Sequence, residues 1–264
     1  MGNADFFNFL TKMSFRNPDT YIKDLVAQNH HFASVLHFFG ISFYRYPDSS
    51  LEEVCKLKSL DVQLVLNSLN NVLNHKKSEN KNSLKKLPIE VILSYLKKSH
   101  KSFIRHKLPF ISDMINNISP EYFDLPDIAK DLKFIFPIFV EDFIKHIYEE
   151  EKIHFGYIER LHEALKNDVN AYMLFNDLRE NSIDKILHEH QEDDDEMQGI
   201  RDLTNNYSLE EKSGIYTKTV YLELKNFEED LKIHAYIENE ILYPKAKDIE
   251  TKISSRLQEF ARLN

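Results

Sequence analysis

The sequence predicts an all-α protein: an up-down four-helix bundle preceded by a small helical module. Three observations carry this reading. Only five of the 264 residues are glycine and eight are proline, while Glu, Lys, Leu, Ile, Phe, Asn and Asp dominate, so turns are few. Period-2 alternation of apolar and polar residues, the mark of a half-buried strand, is scarce. Four long segments, near 88–118, 128–166, 183–206 and 217–243, instead repeat apolar residues in steps of three and four. Four helices of similar length joined by short loops most simply make an antiparallel bundle.

Taken in order, residues 1–86 hold short helical stretches around 20–39, 50–57 and 60–73. In "YRYPDSS" (44–50), Pro47, Asp48 and Ser49 mark a turn, and Ser50 is placed to cap the next helix. The polar, lysine-rich "NHKKSENKNSLKK" (74–86) reads as a linker, so the expected division is 1–86 and 87–264, with a tail helix after Pro244.

Composition excludes several functions. The formal charge is −9, which disfavours phosphate-driven nucleic-acid binding. The imbalance is uneven: residues 1–86 carry eleven Lys/Arg against eight Asp/Glu, and the rest 23 against 35. Cys55 is the sole cysteine, which rules out an intrachain disulfide and fits a reducing compartment. The longest apolar run, Phe134 to Val140, is too short to span a membrane. The start, "MGNADFF", lacks the layout of a secretion signal. The expectation is a soluble cytoplasmic protein with no nucleic-acid or membrane partner.

The second long segment places Leu132, Phe136, Phe139, Phe143, His146, Glu150, Ile153 and Tyr157 on one inward seam. The fourth does the same with Val220, Leu224, Phe227, Leu231, His234, Glu238 and Ile241. In each, a His-x3-Glu pair replaces two apolar residues. "FVEDFIKHIYEEEKI" (139–153) and "FEEDLKIHAYIENEI" (227–241) share Phe-x-Glu-Asp-[Phe/Leu]-x-x-His-x-Tyr-x-Glu-x-x-Ile, so the bundle reads as two related helix pairs. The repeat selects Glu150 over Glu149, whose counterpart is Ile237, and leaves Glu151 as a solvated residue.

His190 falls on the inner face defined by Ile183, Ile186, Leu187, Met197 and Ile200, with Asp194 one turn on, whereas His188 points away. His100 follows Leu93 and Leu96, with His106 a weaker rival on a neighbouring stripe. The intervals 100→146→190→234 are 46, 44 and 44 residues, one histidine per helix at similar depth. Burying two carboxylates and four imidazoles without partners costs several kcal/mol per charge, in the range of about 3–5 when one partner is missing. Cations offset that cost. Imidazole with carboxylate suits iron, manganese or zinc. The expected centre holds two ions, terminally bound by His100, His146, His190 and His234 and bridged by Glu150 and Glu238. It leaves positions for a bridging oxo or hydroxo group and for exogenous ligands. His30, His31, His37, His75, His154 and His162 show no partner pattern and read as surface or packing residues.

On these residues the chain resembles the hemerythrin-like family. "SHKSFIRHKLPFI" (99–111), "HIYEEEKI" (146–153), "EHQEDDDEM" (189–197) and "HAYIENEILYPKA" (234–246) match its motifs in order. Within it, the chain is most similar to the repair-of-iron-centres proteins. The added support is "VLHFFGISFYRYPDSSLEEVCKLKSLDV" (35–62), which resembles their N-terminal module. The resemblance implies a non-haem di-iron centre, reaction with nitric oxide or oxygen, and repair of iron–sulfur clusters in damaged proteins under nitric oxide or oxidative stress. Family modules carry a Cys-Cys pair where this chain has Tyr44 and Arg45, so docking or homodimerisation is expected of the module rather than thiol chemistry. Cys55 reads as a small buried residue. Two other readings stand beside repair: reversible oxygen or nitric oxide binding for sensing, without turnover, and iron storage. The His-x3-Glu order argues against storage, because ferritin-like bundles use Glu-x-x-His with more carboxylates.

Overall fold

The computed structural model describes residues 17–74, 84–119, 123–166, 171–192 and 195–263. Its regular elements are helical throughout the described residues, joined by one isolated β-bridge between Tyr21 and Ser50. Among the described residues no helix is long and apolar enough to cross a membrane.

The first elements are short helices: α1 (Ile22–Gln28), α2 (His31–Phe38), α3 (Leu51–Leu57) and α4 (Val62–Asn74). The single stretch expected over 20–39 is broken at Asn29, an extended residue whose side-chain oxygen accepts from the His31 N–H at 3.1 Å. Asparagine competes with the helix ladder in this way. Gly40, at φ 71°, ends α2 in the left-handed conformation that glycine adopts without steric cost. Ser50 caps α3 through a full capping box: its hydroxyl accepts from the Glu53 N–H, and the Glu53 carboxylate accepts from the Ser50 N–H.

The helices that follow are α5 (Ile89–Ser102), α6 (Leu108–Asn116), α7 (Pro126–Glu150), α8 (Gly156–Lys166), α9 (Ala171–Glu180), α10 (Ile183–Glu192), α11 (Gln198–Leu203), α12 (Ile215–Ile237) and α13 (Tyr243–Leu263). Three π-helical turns interrupt them, at Phe103–Lys107 between α5 and α6, Glu151–Phe155 between α7 and α8, and Glu238–Leu242 between α12 and α13. A π turn holds an extra residue and so rotates everything after it about the helix axis. That explains one departure from the expected seam. Ile153, assigned to the core, is 46% exposed, whereas Phe155, Tyr157, Ile158 and Leu161 are fully buried. The segment expected over 183–206 is likewise two helices, α10 and α11, and α9 had no counterpart in the sequence reading. Asp194 lies outside the described residues.

The chain forms two compact units. Compared with a division at residue 86, the first takes in 110–131 and 204–225 as well as 1–79; the second comprises 80–109, 132–203 and 226–264. Most of the lysine-rich linker lies outside the described residues. In the first unit, Cys55 is buried, and burial followed by the charge of Asp61 raises its thiol pKa, which leaves it a poor nucleophile. Tyr44 and Arg45 are engaged structurally: the Tyr44 hydroxyl donates to Asp113 and the Arg45 guanidinium to Asn117. In the second unit, a continuous core joins Ile92 and Leu96 of α5, Tyr157 and Leu161 of α8, Ile183 and Ile186 of α10, and Tyr243 and Ala246 of α13. Four helical segments thus share one interior.

Candidate metal centre

Four side chains from three segments of the second unit converge in that interior. His100 ends α5, Glu150 ends α7, His234 lies near the end of α12 and Glu238 begins its π turn. All four are buried, with exposures of 1%, 2%, 8% and 2%. Each offers a ligand atom within 4.8 Å of the others. The Nε2 atoms of His100 and His234 face each other at 2.8 Å. Glu150 Oε2 stands 3.3 Å from His100 Nε2, and Glu238 Oε1 stands 2.8 Å from His234 Nε2.

The three π turns account for much of this placement. Each follows a donor within three residues or contains one: Phe103–Lys107 starts three residues after His100, Glu151–Phe155 directly after Glu150, and Glu238–Leu242 begins on Glu238. Such turns recur at functional sites because the widened ladder lets neighbouring side chains aim at one point.

Glu151 is a correction to the sequence reading. It is half-buried rather than solvated, and its Oε1 accepts from His100 Nδ1 at 2.8 Å. A proton held on Nδ1 leaves the Nε2 lone pair directed at Glu150 and His234, the carboxylate–histidine arrangement that orients metal-ligating imidazoles. Tyr243 was also missed: its hydroxyl donates to Glu150 Oε1 at 3.2 Å and fixes that carboxylate. In the first copy of the repeat the matching position is Phe155, which stacks on the His100 ring at 5.5 Å with the planes 3° apart.

Burial alone would pull the His100 imidazole towards neutrality. The hydrogen bond and charge of Glu150, then the hydrogen bond of Glu151 and the charge of Glu238, outweigh it, and its pKa is raised. A positive charge is therefore favoured where the carboxylates meet. The donor set fits a metal on these grounds: buried oxygen and imidazole nitrogen ligands, one imidazole held in the ligating tautomer, and a local preference for positive charge.

The remaining expected ligands stand differently. His146 lines the same cavity, of about 330 Å³, but is outside the four-residue cluster; its Nε2 faces Glu196 at 3.8 Å and its side chain is 30% exposed. His190 belongs to α10 by its backbone, and its side chain lies outside the described residues. The rivals are excluded from the centre by exposure: His106, His188 and Glu149 all face solvent. Phe103, Phe143 and Phe227 pack together beside the centre, with ring centroids 5.5–6.1 Å apart, and Phe103 meets His234 edge-on at 5.6 Å.

The profile of the hemerythrin HHE cation binding domain matches residues 91–246. The chain is also similar to the iron-sulfur cluster repair protein ScdA of Staphylococcus haemolyticus, 18% identical over 213 residues that cover 81% of this chain and 91% of that protein. It is 20% identical to the protein of the same name from Staphylococcus epidermidis, over 85% of this chain and 96% of the relative.

Proposed function

The chain belongs to the hemerythrin HHE cation-binding family, and from that premise we propose that it is a non-haem di-iron protein that helps restore iron–sulfur clusters damaged by nitric oxide or oxidation. The convergence of His100, Glu150, His234 and Glu238 on one buried point is the observation that carries the reading. His146 and His190 would join these four residues in holding the ions. Similarity to the ScdA proteins along most of both chains supports the repair role.

Two iron ions bound there would supply ferrous–ferric redox chemistry and the capacity to bind a diatomic ligand. The chain's own groups do the rest. Glu151 holds the proton on His100 Nδ1, so the ring ligates through Nε2. The Tyr243 hydroxyl keeps Glu150 in place. Phe103, Phe143 and Phe227 give the centre apolar neighbours, which favours small uncharged gases over ions. The cavity lined by Phe143, His146 and Glu196 reaches the four clustered donors.

Metal analysis with an optical spectrum of the purified protein comes first, and two irons per chain are expected. The reduced protein is then exposed to nitric oxide and, separately, to oxygen. Consumption of nitric oxide, and faster recovery of a nitric oxide-damaged iron–sulfur protein in its presence, are the expected results. A stable oxygen adduct released on lowering the oxygen pressure, with no nitric oxide consumed, would favour a binding or sensing role instead. A colourless zinc protein would overturn both.

A further inference from the structure

We propose that His30, His31 and Glu223, in the first compact unit, form a second and surface-open site for a divalent first-row transition-metal ion. Each of the three offers one ligand atom, and these atoms lie within 4.8 Å of one another. His31 Nδ1 stands 3.9 Å from Glu223 Oε1. That is too long for a hydrogen bond, yet one ion bonded to nitrogen at about 2.0–2.1 Å and to oxygen at about 2.0–2.2 Å spans it. The two imidazole rings lie side by side, with centroids 4.1 Å apart and planes tilted by 38°.

The local fold sets this pair in place. The Asn29 side chain accepts from the His31 N–H, and the His30 carbonyl accepts from the Ala33 N–H at 2.9 Å, so both histidines are fixed on the opening turn of α2. Glu223 reaches them from α12. Its side chain is 12% exposed, whereas that of His31 is 47% exposed. One carboxylate is therefore largely desolvated beneath two imidazoles, with solvent on the outer side.

Two histidines and one carboxylate on one face, with the other positions open, is the donor set of non-haem ferrous sites. Here the open positions face water, so the ion is held by three protein bonds and exchanges readily. The start of a helix carries partial positive charge and does not itself attract a cation. Glu223 must supply the attraction, which makes it the decisive residue. The site shares no residue with the bundle centre and does not depend on what that centre holds.

The test uses the full-length protein as purified, dialysed against micromolar zinc, with zinc and iron counted per chain. The native protein should retain one zinc ion more than either H31Q or E223Q, with iron content equal in all three. His31 is half-exposed, so H31Q is the variant expected to fold unchanged, and circular dichroism checks this. Equal zinc in the native protein and H31Q, or no zinc retained by the native protein, would overturn the site. Absence of iron from every sample would count against the bundle centre alone, because the zinc difference between the proteins still reports on this one.

Discussion

Two adjacent glutamates show how finely the centre is specified. Glu150 contributes a donor atom and Glu151 orients a donor, although they are neighbours in sequence. Glu150→Ala should abolish retention of metal, since it removes a buried carboxylate that a cation needs. Glu151→Ala should keep the metal but weaken its binding by about 10- to 100-fold, the usual cost of losing a partner that orients a ligating histidine. Glu151→Gln retains an oxygen that accepts from His100 Nδ1 and should recover much of the affinity. Chelator competition measures all three, and equal affinity in native protein and Glu151→Ala would refute the orienting role. At Tyr243, loss of the hydroxyl in Tyr243→Phe should cost about 1 kcal/mol of stability, the net worth of one hydrogen bond. Thermal unfolding reads it, and an unchanged midpoint would show that the contact to Glu150 is idle.

At the scale of the element, the π turns matter more than helix length. Deleting Ile153 would return Glu151–Phe155 to α-helical spacing and rotate α8 by about 100°. Phe155, Tyr157, Ile158 and Leu161 would then leave the core. Cooperative unfolding should be lost, whereas Ile153→Ala, at an exposed position, should change stability by no more than about 0.5 kcal/mol. If the deletion unfolds like the native protein, the π register is dispensable. Gly156, the first residue of α8, is a simpler case. A β-carbon there would meet Arg160 Nη1 at 3.5 Å and the Glu151 carbonyl at 3.9 Å, both ordinary contacts. Gly156→Ala should therefore raise stability by about 0.5–1 kcal/mol through the reduced entropy of the unfolded chain. A fall in the unfolding midpoint would mean that the turn needs glycine for another reason.

For the whole molecule, the four clustered donors all belong to the second compact unit. A ligand that binds only the folded state stabilises the part that holds it. Stripping the metal should therefore increase amide exchange chiefly in α5, the end of α7, the end of α12 and the start of α13, with little change in α1 to α4. A uniform increase throughout the chain would show that the units unfold together.

The sequence by itself determined the helical class, the His-x3-Glu repeat and the choice of Glu150 over Glu149, because these rest on periodicity within helices and on the match between the two copies of the repeat. Burial of His100, Glu150, His234 and Glu238 follows from the same seams. Constant helical spacing fails wherever a turn holds an extra residue. Only the tertiary structure brought Glu151 to His100, exposed Ile153 and set Phe155 against the imidazole. It alone brought Glu223 beside His30 and His31, residues almost two hundred positions away in the chain. Local patterns record which face of a helix is apolar; proximity between distant segments arises only when those faces pack.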